Sequence, residues 1–341
     1  MPADYGWINY IISLSALVSF AVTLGLPTTV ATYYPKERRE GLISGSVLVV
    51  LIASLIASVT AAIWEPLLFP LIMGFSLFSV AVNIELGRRR YSRYMWLWVG
   101  AKLASVPFAI GLYFTLGLSG FLFGYAFPSL ALALVSFGHL RGWRRSGFDE
   151  VKSKVSFASK ALGVDLARGS SIWLDKVVIG GIFGLTILGI YFFAYQIYTL
   201  LSFLPTALFS YLLPEKSAGV DMKKVELLGI GSSFVLAITT LGLTPLLIPR
   251  IFPNFLDSVR PIQIMAFAVI PATVVGIKMP ELYARERPGA VLASHAVAVA
   301  VGISGMLLFG SYFGAIGLAT GVVLLQSTLA IILVAFEKKW L

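Results

Sequence analysis

Long, nearly uncharged apolar runs alternate along this chain with short clusters of basic residues, and that pattern leaves few structures open. Residues 42–64 and 312–336 each pass without a charged side chain, and about 20 predominantly apolar residues are what one helix needs to cross a hydrocarbon core about 30 Å thick. Lipid offers the backbone no hydrogen bonds, so a spanning chain must form helices or a closed barrel. The runs are continuous and do not alternate with period two, which excludes the barrel. Composition agrees: 58% of residues are apolar and 12% charged, against about 25% charged in a soluble protein. The expected fold class is all-α, a polytopic membrane protein with about eleven transmembrane helices.

Between the charge clusters, spans are expected at residues 7–33, 42–64, 66–83, 94–115, 117–138, 157–184, 186–213, 224–249, 260–281, 288–309 and 312–336. Trp7, Tyr33, Tyr34, Trp64, Tyr94, Trp96, Trp143 and Trp340 fall near the ends of these runs, where amphipathic rings favour the membrane interface. The basic clusters set an orientation. Lys36, Arg38 and Arg39, then Arg88, Arg89, Arg90 and Arg93, then Arg141, Arg144, Arg145, Lys152, Lys154 and Lys160 follow the first, third and fifth spans. Lys216, Lys223 and Lys224, then Lys278, Arg285 and Arg287, then Lys338 and Lys339 continue the series, whereas the opposite loops hold only Arg250 and Arg260. Basic loops stay cytoplasmic, so the N-terminus is expected outside and the C-terminus inside, in the cytoplasmic membrane. The net charge of +10 is thereby a topogenic signal that also attracts anionic lipid, and nucleic-acid binding has little left to support it. No cysteine is present, so thiolate chemistry and cysteine metal sites are excluded. The opening MPADYGW has no basic n-region, and no signal peptide is expected.

The longest loop, basic and at about 139–160, separates five spans from six. It suggests an N-terminal lobe at 1–138, an inter-lobe loop at 139–156 and a C-terminal lobe at 157–341. Gly117, Gly120 and Gly124 recur as Gly314, Gly317 and Gly321, and at the same offset Arg88 and Arg90 recur as Arg285 and Arg287. More weakly, Gly6, Leu17, Ser19, Phe20 and Thr23 align with Gly189, Leu200, Ser202, Phe203 and Thr206. Such glycine spacing alone indicates close helix packing. Its recurrence in register points to a duplicated transporter architecture. Residues 157–184 then have no counterpart, and the first half is expected to lack one helix at its N-terminus.

Four segments carry a family likeness: DYGWINYIISLSALVSFAVTLGLP; IELGRRRYSRYMWLWVGAKL with GLSGFLFGYAF; SIWLDKVVIGGIFGLTILGIYFFAYQIYTLLSFLPTALFSYLLPEKS; and ELYARERPGAVLASHAVAVAVGISGMLLFGSYFGAIGLATGVV. In their order the chain resembles the polysaccharide flippases of the MATE-like MOP transporter superfamily. The resemblance implies two lobes of six helices, here a MATE-like fold minus its first helix, and a central cationic cavity that receives a sugar diphosphate headgroup.

The run GVDLARGSSIWLDKVVIGG is the most polar of the spans, with Asp165, Arg168, Asp175 and Lys176 on one stripe about 100° wide. Each charge costs about 2.5–3.5 kcal/mol at a lipid-facing helix centre, so the stripe is expected to face protein or water. Asp175 and Lys176 are placed near the midplane. Arg168 and Lys176, with Lys102, are the candidate substrate-binding residues; Asp165 and Asp175 are candidates for charge balance or for coupling to H⁺ or Na⁺. The plainer alternative pairs Asp165 with Arg168 at i,i+3 as internal glue, and Lys102 also reads as a lysine snorkelling to the interface. His295 is read as a packing histidine before a proton carrier.

The expected function is flipping of a lipid-linked oligosaccharide, on a polyprenyl or dolichyl phosphate carrier, by alternating access. The partners expected are that substrate and membrane lipids, with no nucleic acid, and the chain is expected to work as a monomer. There is no Walker A sequence, no resident cofactor or metal is expected, and no catalytic residue is assigned. The alternatives are a drug or cation antiporter of the MATE type, an intramembrane polyprenyl-dependent glycosyl transferase, and an inactive truncated homologue.

Overall fold

The structure is a computed structural model that describes residues 1–134, 146–285 and 287–338; for residues 146, 167, 168, 171, 217, 288, 337 and 338 it describes the backbone only. The described residues are helical almost throughout: α1 (Pro2–Val22), α2 (Leu26–Glu37), α3 (Glu40–Ala62), α4 (Leu68–Gly87), α5 (Tyr91–Ala133), α6 (Ser146–Ser153) and α7 (Val155–Phe183). After these come α8 (Leu185–Leu201), α9 (Phe203–Ser217), α10 (Lys223–Ile251), a 3₁₀ segment Pro253–Ser258, α11 (Val259–Ala284), α12 (Pro288–Phe313) and α13 (Ala315–Lys338). Among the described residues, 9 helical stretches are long and apolar enough to cross a membrane. The 43-residue α5 counts there as one, although it is two arms. The charged α7 is absent from the nine, yet its 29 residues extend about 43 Å, enough to cross. With both included the spans number about eleven, the count that hydropathy requires.

The two arms of α5 meet at Gly117, whose φ of 65° and ψ of −144° lie outside the helical range. A side chain would oppose that conformation; glycine adopts it freely. The arms fold back on each other, so a Cβ at Gly120 would lie 2.1 Å from the Leu112 carbonyl oxygen and one at Gly124 2.4 Å from that of Phe108. The same device recurs between α12 and α13. Gly314 has φ 56° and ψ −132°, and a Cβ at Gly317 would lie 1.9 Å from the Phe309 carbonyl oxygen. Gly321 lies against Met306. The repeated glycines therefore have one structural meaning in both places: a sharp reversal followed by backbone-to-backbone packing of the two arms, the contact that small residues permit in lipid.

Contacts divide the chain into one unit of Met1–Trp7 with Ile179–Leu341 and another of Ile8–Val178. This differs from a division at 139–156, because residues up to Val178 of α7 group with the first helices. The reason lies in local packing: a Cβ on Gly25 would meet the Ala158 carbonyl oxygen at 2.2 Å, the Tyr33 ring stands edge-on to Phe157 at 5.1 Å, and Lys154 pairs with Glu37. In the Ile8–Val178 unit α4 is central, with 72% of its most apolar window buried and α2, α3 and α5 around it. In the other unit α11 holds that place, 56% buried among α8, α9, α10 and α13. These are the helices that end at the repeated arginines, Arg88 and Arg285. The weaker repeat also has a physical counterpart. A Cβ on Gly6 would lie 1.8 Å from the Leu185 carbonyl oxygen, and one on Gly189 1.8 Å from that of Pro2, a reciprocal crossing of α1 and α8.

The structure refines three sequence expectations. The span expected at 7–33 is two helices, because Leu24 and Gly25 both take positive φ, 54° and 68°. The span expected at 186–213 lies within a single span, Leu185–Lys216, whose helix breaks at Ser202 between α8 and α9. Part of the inter-lobe loop is the helix α6, held to α3 by glycine contacts: a Cβ on Gly45 would lie 2.3 Å from the Gly147 carbonyl oxygen. Of the expected interfacial aromatics, Trp64 is exposed and Tyr33 and Tyr34 are partly buried against the core of their unit; Trp143 and Trp340 lie outside the described residues.

Two measurements check this account. Gly120→Val and Gly317→Val each overpack a backbone contact and are expected to lower unfolding stability in detergent by about 1–3 kcal/mol. Gly111→Ala, in a helix with open space around it, is expected to raise stability by about 0.5–1 kcal/mol. The second concerns the tie between α7 and α2. The hydrogen bond from Lys154, with the charges of Lys154, Arg39 and Lys36, holds Glu37 below its ordinary carboxylate value. Its contribution is full above the unfolded carboxylate value and is lost as pH falls through the depressed folded value, so acid unfolding of Glu37→Gln should begin from lower stability and depend less on pH.

Candidate functional site

The polar face of α7 is built on the broken helix formed by α1 and α2. The parts concerned, α1 from Ile8, all of α2 and α7 up to Val178, belong to the Ile8–Val178 unit. Where the chain turns through Leu24 and Gly25, Thr28 enters the first turn of α2, and its hydroxyl donates to both carboxylate oxygens of Asp165 at 3.2 and 3.4 Å. An intramembrane carboxylate thus sits beside a helix break. Elsewhere in membrane transport such breaks expose backbone dipoles to ions and substrate groups.

Asp175 and Lys176 form a second centre, ten residues further along α7 and so about 15 Å away along the helix axis. The Lys176 ammonium is 5% exposed at the side chain. It donates to Asp175 at 2.8 and 3.0 Å and to the Ile172 carbonyl oxygen at 2.6 Å. Adjacent residues on a helix diverge by about 100°, so the pair forms only because the long lysine stem curls back. Asp175 thus balances the charge of Lys176 geometrically. Counted from Phe183, Lys176 lies about 10 Å from the end of α7.

Arg168 lies on α7, but its side chain is outside the described residues; its expected pairing with Asp165 is outside them as well. Lys102 is in neither centre. On the first arm of α5, it donates to the Tyr125 hydroxyl of the second arm at 3.2 Å, with the ammonium 5.4 Å from that ring. The structure therefore separates the five candidates into an Asp165 centre, an Asp175–Lys176 centre and a lysine held across the α5 hairpin. His295 Nδ1 donates a hydrogen bond to the Val291 carbonyl oxygen of its own helix, at 2.9 Å. No group of three metal-ligating side chains is found among the described residues.

Two charged sites were not singled out from the sequence. At the basic end of the Ile8–Val178 unit, Arg38, Arg88, Arg89 and Arg90 line a cavity of about 380 Å³ with Tyr34 and Glu40. At the basic end of the other unit, Lys216 bridges Glu226 at 2.6 Å and Glu281 at 3.3 Å. Glu281 also receives Lys278 at 3.4 Å and Arg285 at 2.7 Å. The i,i+3 and i,i+4 spacings of Lys278, Glu281 and Arg285 are legible in sequence; the reach of Lys216 is not, because it crosses from α9 to α11.

The pair of buried Lys176 with partly buried Asp175 makes a further prediction. Lys176→Met removes the cation that pairs with the partly exposed Asp175 and is expected to cost less than the about 3–5 kcal/mol of a fully buried pair. The double variant Asp175→Asn with Lys176→Met should cost much less than the sum of the single changes, as read by a thermal-unfolding double-mutant cycle.

No protein-family model and no curated protein matches this sequence. Solved structures do match its fold. A multidrug resistance MATE family transporter of the MOP superfamily, in an inward-facing conformation, superposes with a TM-score of 0.59 at 14% identity, over 100% of this chain and 95% of that one. The crystal structure of the eukaryotic MATE transporter AtDTX14 superposes with a TM-score of 0.53 at 14% identity, over 99% of this chain and 86% of that one. The chain is a multi-pass helical membrane protein with the fold of the MATE transporters.

Proposed function

We propose that this protein is a membrane transporter that moves a lipid-linked oligosaccharide between leaflets by alternating access, the polar face of α7 receiving the anionic headgroup. The observation that carries this reading is the burial of Lys176 within α7, a helix of 29 residues and so long enough to cross a membrane. A buried intramembrane cation is costly and marks a functional site by default. It is chemically suited to a phosphate-bearing substrate and of no direct use to a carrier of cations. Arg168, on the same helix, is assigned with it. Asp175 pairs with Lys176 until the substrate phosphate competes for it. Asp165, beside the α1–α2 break, is assigned to ion coupling with H⁺ or Na⁺. Lys102 guides the headgroup along the α5 hairpin.

A second reading has its own support. Asp165 and Asp175 are intramembrane carboxylates of the kind a cation antiporter would use, and one of the fold neighbours is a multidrug resistance transporter. The two readings separate in proteoliposomes. The flippase reading expects transbilayer movement of a fluorescent polyprenyl-diphosphate oligosaccharide, at least about tenfold slower for Arg168→Gln with Lys176→Gln although the variant elutes and unfolds as a folded protein. It also expects Asp165→Asn to remove the dependence on an imposed pH or Na⁺ gradient. Full movement by the double variant would sink the assignment, and gradient-driven uptake of a cationic dye in place of lipid movement would establish the antiporter.

A further inference from the structure

The cavity of arginines in the Ile8–Val178 unit has a counterpart in the other unit, and the difference between them is informative. Each is bounded by a turn between two spans and by the end of that unit's central helix: the α2–α3 and α4–α5 turns in one, the α9–α10 and α11–α12 turns in the other. The volumes agree, about 380 and about 360 Å³, and Arg88 and Arg285 occupy matching places in the repeat. The charges do not agree. In the second cavity four cations meet three carboxylates, Asp221, Glu226 and Glu281, and the ion pairs close on themselves. In the first, four arginines meet one lining carboxylate, Glu40. That carboxylate is taken by Arg88 at 2.7 Å and by the Tyr34 hydroxyl. Among the described residues no carboxylate pairs with Arg38 or Arg89.

The backbone points the same way. The second cavity makes its turn with a left-handed glycine, Gly219, at φ 78°, the residue that sterics favour there. The first places arginine in the left-handed region twice, Arg38 at φ 51° and Arg89 at φ 57°. Backbone strain of this kind persists where the side chain has a task.

We propose that this cavity is a binding site for a phosphate-bearing anion, held by the guanidinium groups of Arg38 and Arg89, with Arg90 drawn to Glu85 at 3.9 Å and Arg88 fixed by Glu40 and Tyr34. Guanidinium forks match phosphate oxygens two at a time. The site lies at the basic end of the unit, where anionic headgroups collect, so a phospholipid headgroup is one source and a free phosphate the other. The site is independent of what the chain transports.

The test titrates the full chain in neutral detergent with short-chain phosphatidylglycerol and, separately, with inorganic pyrophosphate. The variant Arg38→Gly with Arg89→Gly relieves both left-handed arginines and is expected to unfold at or above the temperature of the parent. It should bind about tenfold or more weakly, as loss of two charge-assisted contacts implies. Lys223→Gln with Lys224→Gln removes the same charge from the exposed basic end of the other unit and is expected to leave binding unchanged. Saturable, arginine-dependent binding of the lipid assigns a lipid site; the same behaviour with pyrophosphate alone assigns a free-phosphate site. Equal weakening by both double variants, or saturable binding of neither anion, overturns the proposal.

Discussion

The bilayer withholds hydrogen-bond partners from the backbone, and most of this structure follows from that. A chain with these apolar runs must satisfy each N–H and C=O within its own helix, which is why helix accounts for nearly all described residues. Once that is done, lipid supplies no hydrophobic drive to hold one helix to another, because a lipid tail is as apolar as a leucine side chain. Dispersion contact at short range has to do it. The glycines are placed where that contact is closest: Gly120 and Gly124 against the first arm of α5, Gly317 and Gly321 against α12, Gly45 and Gly147 between α3 and α6. Each brings backbone against backbone at a distance that any side chain would forbid.

Charge is distributed under the same constraint. Outside the membrane the ionic side chains gather at one end of each unit, and there the two units differ. One spends its cations on its own carboxylates, with Lys216 and Glu281 at the centre of the network; the other leaves Arg38 and Arg89 turned to a cavity. Within the membrane, ions are tolerated only where a partner is in reach. Lys176 has Asp175 and the Ile172 carbonyl, Asp165 has Thr28, and Lys102 has Tyr125.

Much of the fold was legible before any coordinates. The lengths of the spans followed from hydropathy, and the recurrence of Gly117, Gly120 and Gly124 at Gly314, Gly317 and Gly321 identified a duplicated unit whose two copies have the same reversal and the same close approach. The candidate site was legible only as a list of charged residues on one helix. A helical stripe says which residues share a face; it does not say how far apart along the axis they act. Asp165 and Asp175 are on one face but in separate centres. The basic clusters were visible too, yet they read as topogenic signals, because spacing cannot tell an arginine that meets solvent from one that lines a cavity beside a partner drawn from another turn.

By itself the sequence determined the class of structure: helices long enough to span, small residues where they must approach, and charges clustered on alternate loops, all of which are local consequences of putting a backbone into lipid. Tertiary structure decided the rest. It grouped α7 with the first helices, broke the first span at Leu24 and Gly25, folded α6 onto α3, and separated neutralised cations from arginines open to an anion. Those outcomes depend on which helix faces are packed together, and packing in lipid is chosen by fit over many short contacts, which hydropathy and charge patterns along a single chain do not encode.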